Sequence, residues 1–250
     1  MKTKIVYVLV SEESDFYYEM VLLSLYSLRL YHPKGDTEVE LVMDKATHQR
    51  LVDKRATILD DVTPIVVPTP PEYTKMQRSR YLKTSLRQIV KGDFLYLDCD
   101  TIIYNVLSDI DVIEADIAMV SDGNEGLCHR NRLSVEYCEN AGFLNLDGQP
   151  YYNSGVFFTK ESVLANRFFE VWHQQWKQST TNGVPQDQPA LCQANMILNH
   201  PIQELPAIWN SMRIPKEYFT KIKIRHYFKG IRSTLRSMIF NYINMKNTIN

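Results

Sequence analysis

The sequence predicts an α/β protein of one domain, with a mixed, mostly parallel sheet flanked by helices. Three observations carry this. Short β-branched and aromatic runs alternate with longer stretches free of Gly and Pro over the first hundred residues. The first of those runs is apolar throughout rather than alternating, the pattern of a strand buried on both faces. The length of 250 residues, 44% apolar, is enough for a sizeable single core.

Taken in order, Ile5–Val10 reads as the first buried strand. Phe16–Tyr31 is a helix closed by the Pro33-Lys34-Gly35 turn. Val39–Met43 is a strand, Lys45–Ala56 a polar helix, and Pro64–Val67 a third strand bounded by the Pro68–Pro71 loop. Leu82, Leu86 and Ile89 recur at helical spacing within Gln77–Val90, and Gly92 stops that helix ahead of a fourth strand, Phe94–Leu97. Such alternation implies parallel strands joined by right-handed crossovers. Beyond Thr101 the order loosens: a strand at Asp116–Val120, a loop-rich stretch over Gly123–Gly148, and a strand at Tyr152–Thr159. Helices follow at Glu161–Gln178, rich in Phe and Trp, and at Asp187–Asn199. Lys221–Tyr227 reads as a strand before a basic helical tail. No repeat, low-complexity tract or linker interrupts the chain.

The formal net charge of -1 argues against a protein that wraps nucleic acid. The distribution is uneven, however. From Arg213 onward Lys216, Lys221, Lys223, Arg225, Lys229, Arg232, Arg236 and Lys246 face a single acid, Glu217, so the preceding body is acidic. Cys99, Cys128, Cys138 and Cys192 form no CxxC pair and read as reduced thiols in a cytoplasmic protein. The apolar run Ile5–Val10 is too short for a signal peptide and is followed by acids. No segment approaches the roughly 20 apolar residues of a membrane span. Neither G-x-G-x-x-G nor G-K-[ST] occurs, which disfavours dinucleotide and P-loop folds.

The most informative stretch is Phe94-Leu95-Tyr96-Leu97-Asp98-Cys99-Asp100-Thr101, an apolar strand that ends in two carboxylates spaced i, i+2. Ligands gather at the carboxyl ends of strands in open α/β sheets. Neighbouring carboxylates repel unless a cation lies between them or one is protonated. Hard oxygen ligands favour Mg²⁺ or Mn²⁺, which could bridge a diphosphate and offset its charge as it departs. The alternative is a strand-end cap with Asx-turn bonding. A second pair, Asp109-Ile110-Asp111, has no strand before it and reads as a solvated turn.

This stretch resembles the metal motif of glycosyltransferase family 8, the group that includes glycogenin, bacterial lipopolysaccharide glucosyl- and galactosyltransferases, and galactinol synthases. The resemblance runs from Ile5 to about Gly230 in scattered blocks that keep the family's order. It implies a nucleotide-sugar-binding, glycosyltransferase A-type fold over residues 1–230, with 231–250 as a basic, amphipathic tail. Val8-Leu9-Val10-Ser11 with Asp15-Phe16-Tyr17 resembles the nucleotide-holding block, which implies base contacts from Val10, Ser11, Asp15 and Tyr17. The lead-in Glu12-Glu13-Ser14 is longer than the family's, and Asp15 also reads as an acid at a helix N-terminus. Arg80-Tyr81-Leu82-Lys83 resembles the family's basic helix face, and Arg80 and Lys83 share a face at i, i+3. They are expected to approach the donor's phosphates or sugar, the other reading being a solvated basic face.

Asp147-Gly148-Gln149-Pro150-Tyr151-Tyr152-Asn153-Ser154-Gly155-Val156 resembles the D-G-x-x-Y-x-N-[AS]-G-V block, with Pro150 unusual and the first Tyr displaced by one. Gln186-Asp187-Gln188-Pro189-Ala190-Leu191 resembles D-Q-x-x-[LF]. Together these imply that Asp147, Asn153, Asp187 and Gln188 hold the transferred sugar. Read without the family, Asp147-Gly148 is a turn and Asp187 a helix N-cap. His226-Tyr227-Phe228-Lys229-Gly230 resembles the closing H-[FY]-x-G block, but its glycine comes one residue late and no Lys-Pro-Trp follows. The resemblance implies His226 as third metal ligand beside Asp98 and Asp100, with the diphosphate role passing to Lys229 or Arg232.

The expected activity is therefore metal-dependent, retaining transfer of a hexose, glucose or galactose, from a UDP-sugar to a glycan or glycolipid acceptor. Asp98-Cys99-Asp100-Thr101 also fits the D-x-D-x-T motif of haloacid-dehalogenase-like phosphatases, with Asp98 as nucleophile. A binding module that has lost catalysis is the third reading. The tail, with Leu235, Met238, Ile239, Tyr242 and Ile243 beside Arg232 and Arg236, either lies on an anionic inner leaflet or packs on the domain.

Overall fold

The computed structural model describes residues 1–13, 16–124, 133–212, 220–227 and 235–240. A seven-stranded sheet organises them, assembled from β1 (Lys4–Leu9), β2 (Val39–Asp44), β3 (Thr63–Val67), β4 (Phe94–Leu97), β6 (Ile117–Ser121), β7 (Tyr152–Thr159) and β8 (Gln203–Glu204). Their spatial order is β3-β2-β1-β4-β7-β6-β8, and only β7 runs against its neighbours. The mixed, mostly parallel sheet expected from the sequence is thus the one observed. A second, two-stranded sheet pairs β5 (Thr101–Ile103) antiparallel with β9 (Ile224–His226).

Side chains of β1 show why its sequence is apolar at every position. Val6 and Val8 enter a core on one face of the sheet, where they meet Leu82, Phe168, Trp172 and Leu191. Ile5, Tyr7 and Leu9 enter the core on the other face with Leu25, Leu28, Ile102 and Trp209. Helices α3 (Lys75–Thr84), α4 (Leu86–Ile89), α6 (Val163–Thr181) and α7 (Gln188–Ile197) supply the first core. Helix α1 (Tyr17–Tyr31) and the β5–β9 ribbon supply the second.

Several local expectations change. The helix expected over Lys45–Ala56 is broken into α2 (Lys45–Gln49) and a 3₁₀ segment at Asp53–Asp60, with Asp53 at φ 50° between them. The helix expected over Gln77–Val90 divides at Ser85, whose hydroxyl donates back to the carbonyls of Tyr81 and Leu82. A helix, α5 (Leu133–Asn140), occupies part of the stretch read as loop. The Asp109-Ile110-Asp111 pair lies in a 3₁₀ turn as expected, yet it is not merely solvated. Asp111 accepts the backbone N–H groups of Lys2 and Thr3 (2.8 and 2.9 Å), and Asp109 pairs with Lys223 at 2.8 Å. Cys99, Cys138 and Cys192 are buried. Among the described residues no helix is long and apolar enough to cross a membrane.

Candidate active site

The site lies beyond the carboxyl ends of β1 and β4. Asp98 leaves β4 with its N–H donated to the Gly155 carbonyl at 2.7 Å, and its own carbonyl accepts the Thr101 N–H and hydroxyl. The main-chain oxygen thus closes the turn, which leaves the Asp98 carboxylate for other partners. Lys83 Nζ lies 3.1 and 3.3 Å from its two oxygens, and the Tyr96 hydroxyl donates to it. The strand-end-cap reading does not describe this carboxylate.

His226 reaches the pair because β9 closes on β5, with Thr101 opposite His226. Its backbone N–H donates to Ser211 O, and the Tyr227 N–H donates to Asp100 O, which ties the ribbon to the aspartates. Nε2 lies 3.2 Å from Asp100 Oδ1 and 3.9 Å from Asp98 Oδ2. One ligand atom from each of Asp98, Asp100 and His226 falls within 4.8 Å of the others. Two partly exposed carboxylates and one buried imidazole make a donor set suited to Mn²⁺ or Mg²⁺. Burial pushes the His226 ring toward neutrality, but Asp100 and then Asp98 outweigh it and raise its pKa above the ordinary value. A divalent cation among the three would take over the countercharge that the ring otherwise supplies.

Gly155 makes the approach possible. A Cβ there would fall 2.2 Å from His226 Cε1 and 2.7 Å from Nδ1, so the ring lies directly on the glycine backbone.

Behind the aspartates is a buried ionic cluster. Lys83, 1% exposed, also contacts Asp187 Oδ2 at 3.2 Å and the Ser154 hydroxyl at 3.2 Å. Arg80 Nε pairs with Asp187 Oδ1 at 3.1 Å, and Ser154 donates to Asp187 at 2.7 Å. Burial alone would raise the Asp187 carboxyl pKa. The Lys83 and Arg80 cations and the Ser154 bond together hold it well below the usual range. Asp187 occupies the N-cap position of α7 without making a side-chain cap bond. Its main-chain oxygen accepts the indole N–H of Trp172 at 3.0 Å, which anchors this turn to α6. The solvated-face and helix-cap readings thus give way to a shared ionic network.

The open side of the site is a cleft of about 180 Å³ lined by Val8, Val10, Tyr17, Lys75, Arg80, Asp98 and Asp100, among others. Lys75 Nζ sits 5.1 Å from the Tyr17 ring centroid. At the rim, Arg78 joins Asp44 on β2 to Glu12, and Asp44 caps α2 by accepting the Thr47 N–H.

The structure therefore brings Val10, Tyr17, Arg80, Asp98 and Asp100 to one cleft, with His226 against the two aspartates. Ser11 adjoins it, buried, its N–H donated to Thr47 Oγ1 at 3.0 Å. Lys83 and Asp187 lie beneath the cleft wall rather than in it. Gln188, half-buried, donates to Tyr152 O at 3.3 Å. Asp147 is exposed in the turn before β7, outside the cleft wall. Asn153 is buried, and its Oδ1 accepts both the Gly155 N–H and the Asn210 amide at 2.9 Å. Asp15, Lys229 and Arg232 lie outside the described residues. Three participants escaped the sequence reading. Lys75 precedes the helix face that drew attention, Asp122 follows β6, and Asn210 ends a 3₁₀ turn. Asp122 carried a signal: it is an acid at a strand's carboxyl end, as Asp98 is.

No family model matches the chain, and no curated protein matches its sequence. Solved structures do match its fold. The galactosyltransferase LgtC, in complex with donor and acceptor sugar analogues, superposes with a TM-score of 0.58 at 15% identity, over 90% of this chain and 87% of that one. Mouse xyloside xylosyltransferase 1 superposes with a TM-score of 0.61 at 14% identity, over 92% and 99%. The glycosyltransferase GlyE of Streptococcus pneumoniae gives 0.55 at 15%, over 92% of this chain and 55% of that one. The chain has the fold of these glycosyltransferases.

Proposed function

We propose that this chain is a family 8-like, metal-dependent hexosyltransferase that moves glucose or galactose from a UDP-sugar to a glycan or glycolipid, with retention at the anomeric carbon. The observation that carries it is the meeting of His226 with Asp98 and Asp100, two aspartates that line a cleft shared with Arg80 and Lys75. A fold shared with glycosyltransferases supports this reading over the phosphatase alternative.

Asp98, Asp100 and His226 would hold Mn²⁺ or Mg²⁺, which when bound supplies charge stabilisation for a departing diphosphate. Val10 and Tyr17 would flank the nucleotide, with Ser11, Asp15, Lys229 and Arg232 completing the donor contacts. Arg80, held by Asp187, would present its guanidinium to the phosphates or sugar. Gln188 and Asp147 would face the sugar. Asp187 and Asn153, both buried and engaged, would act on it through Arg80 and His226.

The test is a panel of UDP-sugars with Mn²⁺, followed by UDP release with and without acceptor. Turnover with one hexose donor, lost in Asp100→Asn while the fold is retained, is expected. UDP and Mn²⁺ that raise the melting temperature without any UDP release would leave a binding module instead.

The glycosyltransferase domain is assigned to 1–230 and the tail to 231–250. Within the tail the helical stretch 235–240 buries Met238 and exposes Ile239 and Phe240. Leu235 and Met238 pack on the core beneath the sheet, and the exposed Ile239 and Phe240 would meet an anionic membrane surface. Ile239→Ser with Phe240→Ser spares the packed pair and should abolish flotation with phosphatidylserine vesicles. Undiminished flotation of that variant would leave the helix a purely structural role.

A further inference from the structure

Four polar side chains form an unbroken line behind the metal-ligand candidates. Asp122 Oδ1 accepts from Asn153 Nδ2 at 2.8 Å, Asn153 Oδ1 accepts from Asn210 Nδ2 at 2.9 Å, and Asn210 Oδ1 faces His226 Nδ1 at 3.1 Å. The ends of this line fix its direction. Gly155 N–H can only donate, and it donates to Asn153 Oδ1 at 2.9 Å. An ionised Asp122 can only accept, so Asn153 must turn its NH₂ toward it. Asn153 therefore presents an oxygen to Asn210, Asn210 must answer with its NH₂, and only its oxygen remains for His226. Asn210 is 0% exposed and Asn153 8%, so water does not easily take their places.

From this we infer that Asn210 is a positioning residue which, anchored through Asn153 to Asp122, holds a proton on His226 Nδ1 and so turns Nε2 toward Asp98 and Asp100 as the nitrogen offered to a cation. An imidazole binds a metal through an unprotonated nitrogen, and a hydrogen bond at its other nitrogen sets tautomer and ring angle. The line also gives Asn153 a role apart from direct sugar contact. The Nδ1 proton and the ring orientation stand on hydrogen bonding alone. Their consequence for metal binding rests on the proposed function.

Two measurements separate these. In the full chain labelled with ¹⁵N-histidine, free of metal and at pH 9, the His226 signals, assigned by their loss in His226→Gln, should report a protonated Nδ1. A bare Nδ1 would overturn the inference. In the second, free Mn²⁺ is followed by electron paramagnetic resonance during titration of the parent and of Asn210→Leu. The variant should bind Mn²⁺ about 10- to 100-fold more weakly. Affinity within threefold of the parent overturns the inference. If Asn210→Leu does not fold, the spectrum of the parent decides. Failure of the parent to bind Mn²⁺ would count against the proposed function, while the spectrum still judges the relay.

Discussion

Replacing Gly155 by Ala adds one methyl where the structure has no room for it. The new carbon would stand 2.2 Å from His226 Cε1, 2.7 Å from Nδ1 and 2.9 Å from Asn153 Oδ1. Ordinary carbon contacts begin near 3.5 Å, so the ring or the strand must move by about an ångström. The ring cannot swing freely, because Asn210 holds its Nδ1 and the His226 N–H is bound to Ser211. Nor can the glycine backbone retreat easily, since its carbonyl accepts the Asp98 N–H and its N–H serves Asn153. Overpacking of this kind costs roughly 1–3 kcal/mol of stability. A displacement of that size at a reacting centre costs about 10²-fold in turnover. On the proposed function, the assay is UDP release at saturating donor and Mn²⁺, paired with a thermal melt. A Gly155→Ala enzyme with parental turnover would refute the claim that His226 must rest on this glycine.

Two other outcomes follow from buried groups away from the cleft opening. Lys83→Met removes the cation between Asp98 and Asp187 and should cost about 3 kcal/mol, read as a lower urea midpoint; an unchanged midpoint would mean that Arg80 alone balances Asp187. His173 packs edge-on to Tyr81 at 5.0 Å and bonds Thr84 at 2.7 Å, and burial, aided by Lys177, pushes its pKa down to about 4. The unfolded ring, at its ordinary value of about 6.5, binds more protons between those two values, so stability rises with pH across that window. His173 should therefore cost the parent about 2 kcal/mol between pH 7 and pH 5. His173→Gln should lose that share of the pH slope in urea titrations, and an identical slope would remove His173 as its source.

Much of the sheet was legible because β1 from Ile5 onward and β4 are continuous apolar runs, the pattern of burial on both faces. The strands β5 and β8 were not, since three residues and two residues carry no periodicity. The break at Ser85 was hidden for a different reason: the apolar spacing continues through it, and only the side-chain bonds to Tyr81 and Leu82 divide the helix. At the site, Asp98 and Asp100 announced themselves by ending an apolar strand, and Arg80 and Lys83 by sharing one turn. What the spacing could not convey was depth. It made Lys83 and Arg80 look alike, although one is sealed under the floor and the other reaches the cleft. Asn210 gave no local sign at all, because its importance arises from a partner in a separate strand, His226.

The pairing of β9 with β5 has a consequence for biosynthesis. Thr101 and the two aspartates leave the ribosome long before the strand that carries His226, and Asn210 also comes late. A chain halted before Ile224 lacks β9, and with it the imidazole that lies beside Asp98 and Asp100. On the proposed function, a stop codon anywhere before His226 removes the third candidate ligand and should weaken metal capture.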